Sequence, residues 1–197
     1  GIIRVTMPGG EEQIFLTLRG GGYDSLADSG FVLENEADGS YRMTHEDGAA
    51  FIFSNDGKTG KLQTVYNPDG TQVAQLTYNG DELIEIDGIA GSYTLAWSNG
   101  HISSVTDNAG RTVSYEHDND LLTGVTNADG DTLHYTYDGN GYLNSATDFE
   151  GEVYIKNEYD GIGRVVKQTF INADIPTVST VSYDDEARVT TCVDANG

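Results

Sequence analysis

Cysteine is almost missing from this 197-residue sequence, and Cys192 stands alone. One thiol closes no internal disulfide, and with no CxxC pair there is no cysteine zinc site. Cys192 reads as a small apolar filler. Proline is scarce as well, 3 residues against 25 glycines. That balance, with 12 tyrosines, points to many tight turns between strands rather than to disorder. Basic residues number 10 against 32 acidic ones, a formal net charge of −22. A surface that acidic repels phosphate backbones and anionic headgroups, which argues against nucleic-acid and membrane partners. It also keeps an edge-rich β protein soluble. No run approaches the roughly 18 apolar residues of a membrane helix, the N-terminus shows no signal peptide, and no segment has capped helical periodicity. The chain opens mid-pattern at Gly1-Ile2-Ile3-Arg4-Val5 and ends on a repeat tail, so a longer parent protein is expected.

What is present is a repeat. The phrase Asn/Asp-x-x-Gly occurs at Asn67–Gly70, Asp107–Gly110, Asn127–Gly130, Asp148–Gly151 and Asp194–Gly197, with a looser copy ending at Gly91. The closing glycines Gly70, Gly91, Gly110, Gly130 and Gly151 are 21, 19, 20 and 21 residues apart. Between Gly151 and Gly197 there is room for two units with an insertion near Asn172–Pro176. Inside each unit lies a second phrase, clearest at Tyr135-Thr136-Tyr137-Asp138-Gly139-Asn140-Gly141-Tyr142-Leu143. Further copies run through Tyr159-Asp160-Gly161-Ile162-Gly163 and Tyr183-Asp184. Phe53, Tyr78, Trp97 and His117 hold the aromatic position in weaker copies.

Leu133, Tyr135 and Tyr137 alternate with Thr132, His134 and Thr136, and Val113, Tyr115 and His117 alternate in the same way. A period of two is a half-buried strand. Turn chemistry follows each strand, and Asn79-Gly80 and Asn99-Gly100 are hairpin signals because both residues accept φ > 0. The aromatic is six residues from the next apolar position in Tyr137→Leu143, Tyr159→Val165 and Tyr183→Val189. It is five away in Tyr78→Leu83, Trp97→Ile102 and His117→Leu122, so the longer form is expected to hold a bulge or a three-residue turn. A hairpin of about 20 residues is not stable alone. The predicted fold is therefore all-β: tandem hairpins stacked into one long, curved antiparallel sheet, solenoid-like or shell-like. Residues 1–50 read as less regular lead-in hairpins and 51–197 as the repeats. Ile14–Leu18 reads as a strand, Gly20–Asp24 as a flexible break, and Tyr41–Thr44 with Phe51–Phe53 as a pair around Asp47-Gly48.

Tyr135-x-Tyr137-Asp138-x-x-Gly141-x-Leu143, followed by Thr147-Asp148-x-x-Gly151, resembles the consensus of Rhs (rearrangement hotspot) and YD-repeat proteins. Arg4–Gly10, Tyr41–Thr44 and Asp47-Gly48 resemble the segment that precedes such repeats. The resemblance is close over 92–197 and looser before that. It implies sheets that spiral into a hollow shell, which in bacteria encloses a C-terminal toxic polypeptide until delivery. Related families include insecticidal toxin-complex subunits, wall-associated proteins and animal adhesion receptors. The implied partners are further repeats and a toxin cargo in the same polypeptide, and the implied location is secreted or cell-surface. The self-cleaving region of cargo-releasing members, with paired aspartates near a proline, is not found, so a wall segment is expected. The alternative is an adhesion or carbohydrate-binding module with surface glycans as partners. Trp97 and His117 in place of Tyr, and Asn79, Ser54 and Ser98 in place of Asp, depart from the family pattern.

No catalytic constellation stands out. There is no G-x-S-x-G elbow and no HExxH, and His117 sits where the pattern puts a core aromatic. His134 falls on the polar face. Asp118-Asn119-Asp120 fails the EF-hand pattern, with Thr123 where glycine is needed, and the period is wrong for calcium β-rolls. The expectation is no enzyme, no cofactor and no metal. Tyr135, Tyr137, Tyr159, Tyr183 and Trp97 are expected to pack as an aromatic ladder. Asp138, Asp160 and Asp184, with Gly110, Gly130, Gly141, Gly151 and Gly163, are expected to build turns.

Overall fold

In a computed structural model, the structure describes residues 1–7, 9–57, 59–171 and 177–194. Every regular element among them is a β-strand. Two compact units divide the chain, Gly1–Leu95 and Ala96–Gly197.

The first unit begins with β1 (Ile2–Thr6), β2 (Glu12–Thr17) and β3 (Tyr23–Ser25), which form a three-stranded sheet of their own. Tyr23 and Asp24, expected in a flexible break, instead pair with Thr17 and Leu16. Gly20, Gly21 and Gly22, all at positive φ, confine the turn to themselves, and the chain returns as a strand. Then come β4 (Phe31–Asn35), β5 (Tyr41–His45), β6 (Ala50–Phe53), β7 (Leu62–Tyr66), β8 (Gln72–Asn79), β9 (Glu82–Gly88) and β10 (Gly91–Ser98). The expected pair around Asp47-Gly48 is present, with Met43 opposite Phe51. The small sheet lies over this stretch. Val5 and Phe15 from one side meet Leu33 and Met43 from the other, and Phe15 and Met43 are fully buried. Apolar faces of two sheets close here because each has the other to exclude water.

The second unit contains β11 (His101–Asp107), β12 (Thr112–Asp118), β13 (Leu121–Thr126), β14 (Thr132–Tyr137), β15 (Leu143–Thr147), β16 (Val153–Tyr159), β17 (Val165–Phe170), β18 (Thr177–Asp184) and β19 (Val189–Val193). The large sheet holds sixteen strands, β4 to β19, each beside its neighbours in sequence. That is the predicted antiparallel meander of tandem hairpins. Direct cross-strand pairs collect Tyr115, Val125 and Leu133 on one face, and likewise Tyr135, Ala146 and Ile155. Ala146 is the one buried apolar residue described in this unit, and the others are half-buried. Cys192 lies exposed on edge strand β19 rather than filling a core. The expected insertion at 172–176 and the end of the last tail, 195–197, lie outside the described residues.

Hairpin length is set in the turn. A register shift falls just before the aromatic in both forms, at Thr77/Tyr78 and Glu116/His117 in the shorter, and at Thr136/Tyr137 and Glu158/Tyr159 in the longer. The bulge is therefore common to both, and the longer form carries the extra residue in its loop. Tyr183 departs from the pattern: it pairs with Thr190, and Asp184 pairs with Val189 without a bulge. Asn99 and Gly100 both take positive φ, as expected of a two-residue turn. Asn79 does not. It ends β8 opposite Glu82, which leaves Gly80-Asp81 as the loop with Gly80 alone of the two at positive φ.

Two glycines separate backbone strain from crowding. Gly130, at φ 93°, has nothing within 4 Å of where a Cβ would stand, so Gly130→Ala is expected to cost about 1–2 kcal/mol through backbone strain. Gly48, at φ 100°, would place that Cβ 2.8 Å from the Pro68 carbonyl oxygen, so Gly48→Ala should cost clearly more. Urea unfolding of the two variants, compared by midpoint, checks the ranking.

Candidate functional site

Turns at the hairpin tips and between hairpins alternate along the chain, and the tip turns after Tyr137 and Tyr159 use the same bonds as the turns between hairpins. In the tip turn after Tyr137, the Asp138 N–H donates to the Tyr142 carbonyl (2.9 Å) and the Gly141 N–H to the Asp138 carbonyl (3.0 Å). Asp138 Oδ1 accepts from the N–H groups of Asn140 (2.9 Å) and Tyr142 (3.0 Å). Asp160 does the same with Ile162 and Arg164. Between hairpins the acceptors are Asp107, Asn127 and Asp148. Gly110, Gly130, Gly141, Gly151 and Gly163 occupy the left-handed position that completes each loop, with φ from 82° to 93°. A side-chain oxygen two residues from an amide replaces the strand partner that a turning chain loses. Asp184 serves a different loop, accepting from the Ala187 N–H at 2.8 Å, with Arg188 at positive φ.

Asp107 and Asp160 carry one more contact each, from Nε of Arg111 and Arg164 to Oδ2, both at 2.7 Å. The backbone amides of Arg111 and Arg164 first, and their guanidinium groups second, hold these carboxyls below the ordinary value of 3.8.

The YD tyrosines do something the sequence did not disclose. Tyr137 Oη donates to the Leu122 carbonyl at 2.6 Å, Tyr159 Oη to Leu143 at 2.8 Å, and Tyr183 Oη to Val165 at 2.8 Å. Each acceptor belongs to the return strand of the preceding hairpin. Leu122 and Leu143 are also the residues paired with the preceding aromatics, His117 and Tyr137. The reason lies in the backbone. Pairing between neighbouring hairpins stops short of the tip: the β13–β14 ladder runs only from Thr126↔Thr132 to Gly124↔His134. Twist and the bulge separate the tips. Beyond the end of that ladder, a ring carrying a hydroxyl reaches the carbonyl. Tyr137, Tyr159 and Tyr183 thus join successive hairpins by hydroxyl-to-carbonyl bonds. Tyr135 instead stays half-buried in β14 opposite Ala146, where burial pushes its hydroxyl up. Trp97 lines an open groove with His101, Ile102, Val105, Tyr115, His117 and Leu122. His134 is exposed on the polar face. Among the described residues, no three His, Cys, Asp or Glu side chains are grouped to hold a metal, and no helix is long and apolar enough to cross a membrane.

Together the fold and motif define an array of β-hairpin repeats in which three YD tyrosines bond their repeat to the one before it. Residues 117–153 match the family model described as RHS Repeat, which bears out the resemblance read in the sequence over that stretch. The fold is similar to part of a structure of the Photorhabdus luminescens Tc holotoxin pore, at a TM-score of 0.62 and 17% identity over 96% of this chain and 12% of that one. It is also similar to part of a crystal structure of TcdB2-TccC3-TEV, at 0.55 and 18% identity over 85% and 10% of the two chains. This chain thus spans about a tenth of the length of the structures it matches. A comparison with curated proteins found no match.

Two substitutions test the geometry. Tyr137→Phe removes the described donor to Leu122, whereas Tyr159→Phe leaves Leu143 a second donor in Asn157 Nδ2 at 3.1 Å. The first is expected to cost about 1–2 kcal/mol and the second about 0.5–1, read from urea midpoints. The second test is acid. The Asp160 carboxyl titrates lower folded than unfolded, so its contribution is complete above 3.8 and is lost as pH falls through the depressed folded value. Asp160→Asn is expected to lower Tm at pH 6, and its difference from the native chain is expected to shrink as pH falls below 3.8.

Proposed function

We propose that the chain is a non-catalytic wall segment of an Rhs shell that encloses a C-terminal toxin of the same polypeptide and helps to deliver it. In this reading residues 1–50 are the lead-in and 51–197 the repeats, and the parent is secreted or displayed on a bacterial surface. The observation that carries it is the uncovered apolar face of residues 96–197. Val113, Tyr115, Val125, Leu133, Tyr135 and Ile155 are half-buried, and Phe170, paired with Ile155, is exposed. An apolar sheet face calls for a second layer. In the first unit β1–β3 supply one, and in the second a wall facing an enclosed polypeptide would acquire one. A structural role is further supported by the motif side chains themselves. Tyr137, Asp138, Tyr159, Asp160 and Tyr183 are all engaged in backbone hydrogen bonds.

Limited proteolysis of the full-length parent, read by mass, tests the reading. A region after the repeats that survives in the intact protein but is digested when expressed alone is the expected result. Cleavage of that region first, with 96–197 resistant, would show an open scaffold. The reading as a glycan-binding adhesion module would then move ahead, with the groove at Trp97, Tyr115 and His117 as its binding surface.

A further inference from the structure

Four junctions between hairpins share a contact that the YD motif does not contain. The residue just before the first inward apolar residue of a return strand lies against the aromatic of the next hairpin. Lys61, ahead of Leu62, holds its Nζ 5.5 Å from the Tyr78 ring centroid. His101, ahead of Ile102, stacks on His117 with centroids 4.6 Å apart and planes 15° apart. Tyr142, ahead of Leu143, packs on Tyr159 at 5.1 Å. Arg164, ahead of Val165, lies over Tyr183 at 4.1 Å.

The same side chains then reach the tip of that next hairpin. Lys61 Nζ pairs with Asp81 at 2.7 Å and donates to the Gly80 carbonyl. His101 Nε2 lies 3.2 Å from Asp120 Oδ1, and Arg164 Nη1 donates to Asp185 Oδ1 at 2.6 Å. The Tyr142 ring fills the space that a Cβ at Gly163 would need. The acids are far out in solvent, with side chains 100%, 97% and 74% exposed, so the ion pairs alone are weak. The covering side chains of Lys61, His101 and Arg164 keep only 30%, 30% and 31% exposure, because they lie on a ring. Packing and charge therefore act together at one point.

We infer that these contacts form a recognition code between hairpins. A cationic or imidazole cover selects a neighbour with an aromatic ring and, two or three residues later, an acid. A tyrosine cover selects a neighbour with an aromatic ring and a bare glycine tip. At these four junctions the partner surface of the repeat is thus specified by one residue at a position the YD phrase leaves open, whatever the sheet encloses.

Charge exchange at the first junction tests the code. In the full chain, Lys61→Glu and Asp81→Lys are each expected to speed hydrogen exchange of the β8–β9 hairpin roughly fivefold. The β16–β17 hairpin, which lies in the other unit, should be unchanged. Lys61→Arg, which keeps both the charge and the contact with the Tyr78 ring, should retain native protection. Singles indistinguishable from the native chain, Lys61→Arg as fast as Lys61→Glu, or equal acceleration in β16–β17 would each overturn it.

Discussion

The bond from a tyrosine hydroxyl to a carbonyl of the preceding hairpin, made by Tyr137, Tyr159 and Tyr183, shapes much of this structure. In a flat sheet every backbone group of an inner strand is matched by its neighbours. Here the bulge before the aromatic turns the strand end away, and the ladder between successive hairpins stops short of the tip. An unmet carbonyl in a half-buried place costs more than a made bond contributes. Tyrosine carries a hydroxyl of the right reach, and Tyr137, Tyr159 and Tyr183 each place it on the hairpin before. Strand addition and side-chain bonding thereby divide the work: amides join the hairpins along the strands, and tyrosines join them at the tips.

That division explains the second letter of the motif. A chain that must turn sharply after the aromatic loses strand partners for two amides, and a carboxylate at the turn's first position accepts both. Asparagine does the same between hairpins at Asn127, which is why the phrase tolerates either residue there. The abundance of aspartate therefore has a backbone origin, and the net charge of −22 follows from it in part. Glycine closes each loop because its left-handed position excludes a Cβ at low cost.

The two units differ in what covers them. In the first, β1–β3 lie over the sheet and bury Phe15, Leu33 and Met43. In the second, equally apolar rows remain half-open, held by in-plane bonds rather than by a core.

Much of the architecture was legible in the residues. Alternation of Leu133, Tyr135 and Tyr137 against Thr132, His134 and Thr136 determines a strand and its inward face. Asn99-Gly100 and the Asp-x-x-Gly phrases determine where it turns, because these are local effects of side-chain period and φ preference. Succession of such units determines an antiparallel meander. Local pattern could not reveal which carbonyl a tyrosine hydroxyl would reach, since Leu122 and Tyr137 lie fifteen residues apart and meet only when two hairpins lie side by side. Nor could it reveal that β1–β3 would leave the large sheet, that Asn79 would end a strand rather than lead a turn, or that Lys61, His101, Tyr142 and Arg164 would cover the rings of the next repeat. Those outcomes depend on the twist and spacing of neighbouring hairpins, which exist only once the sheet has formed.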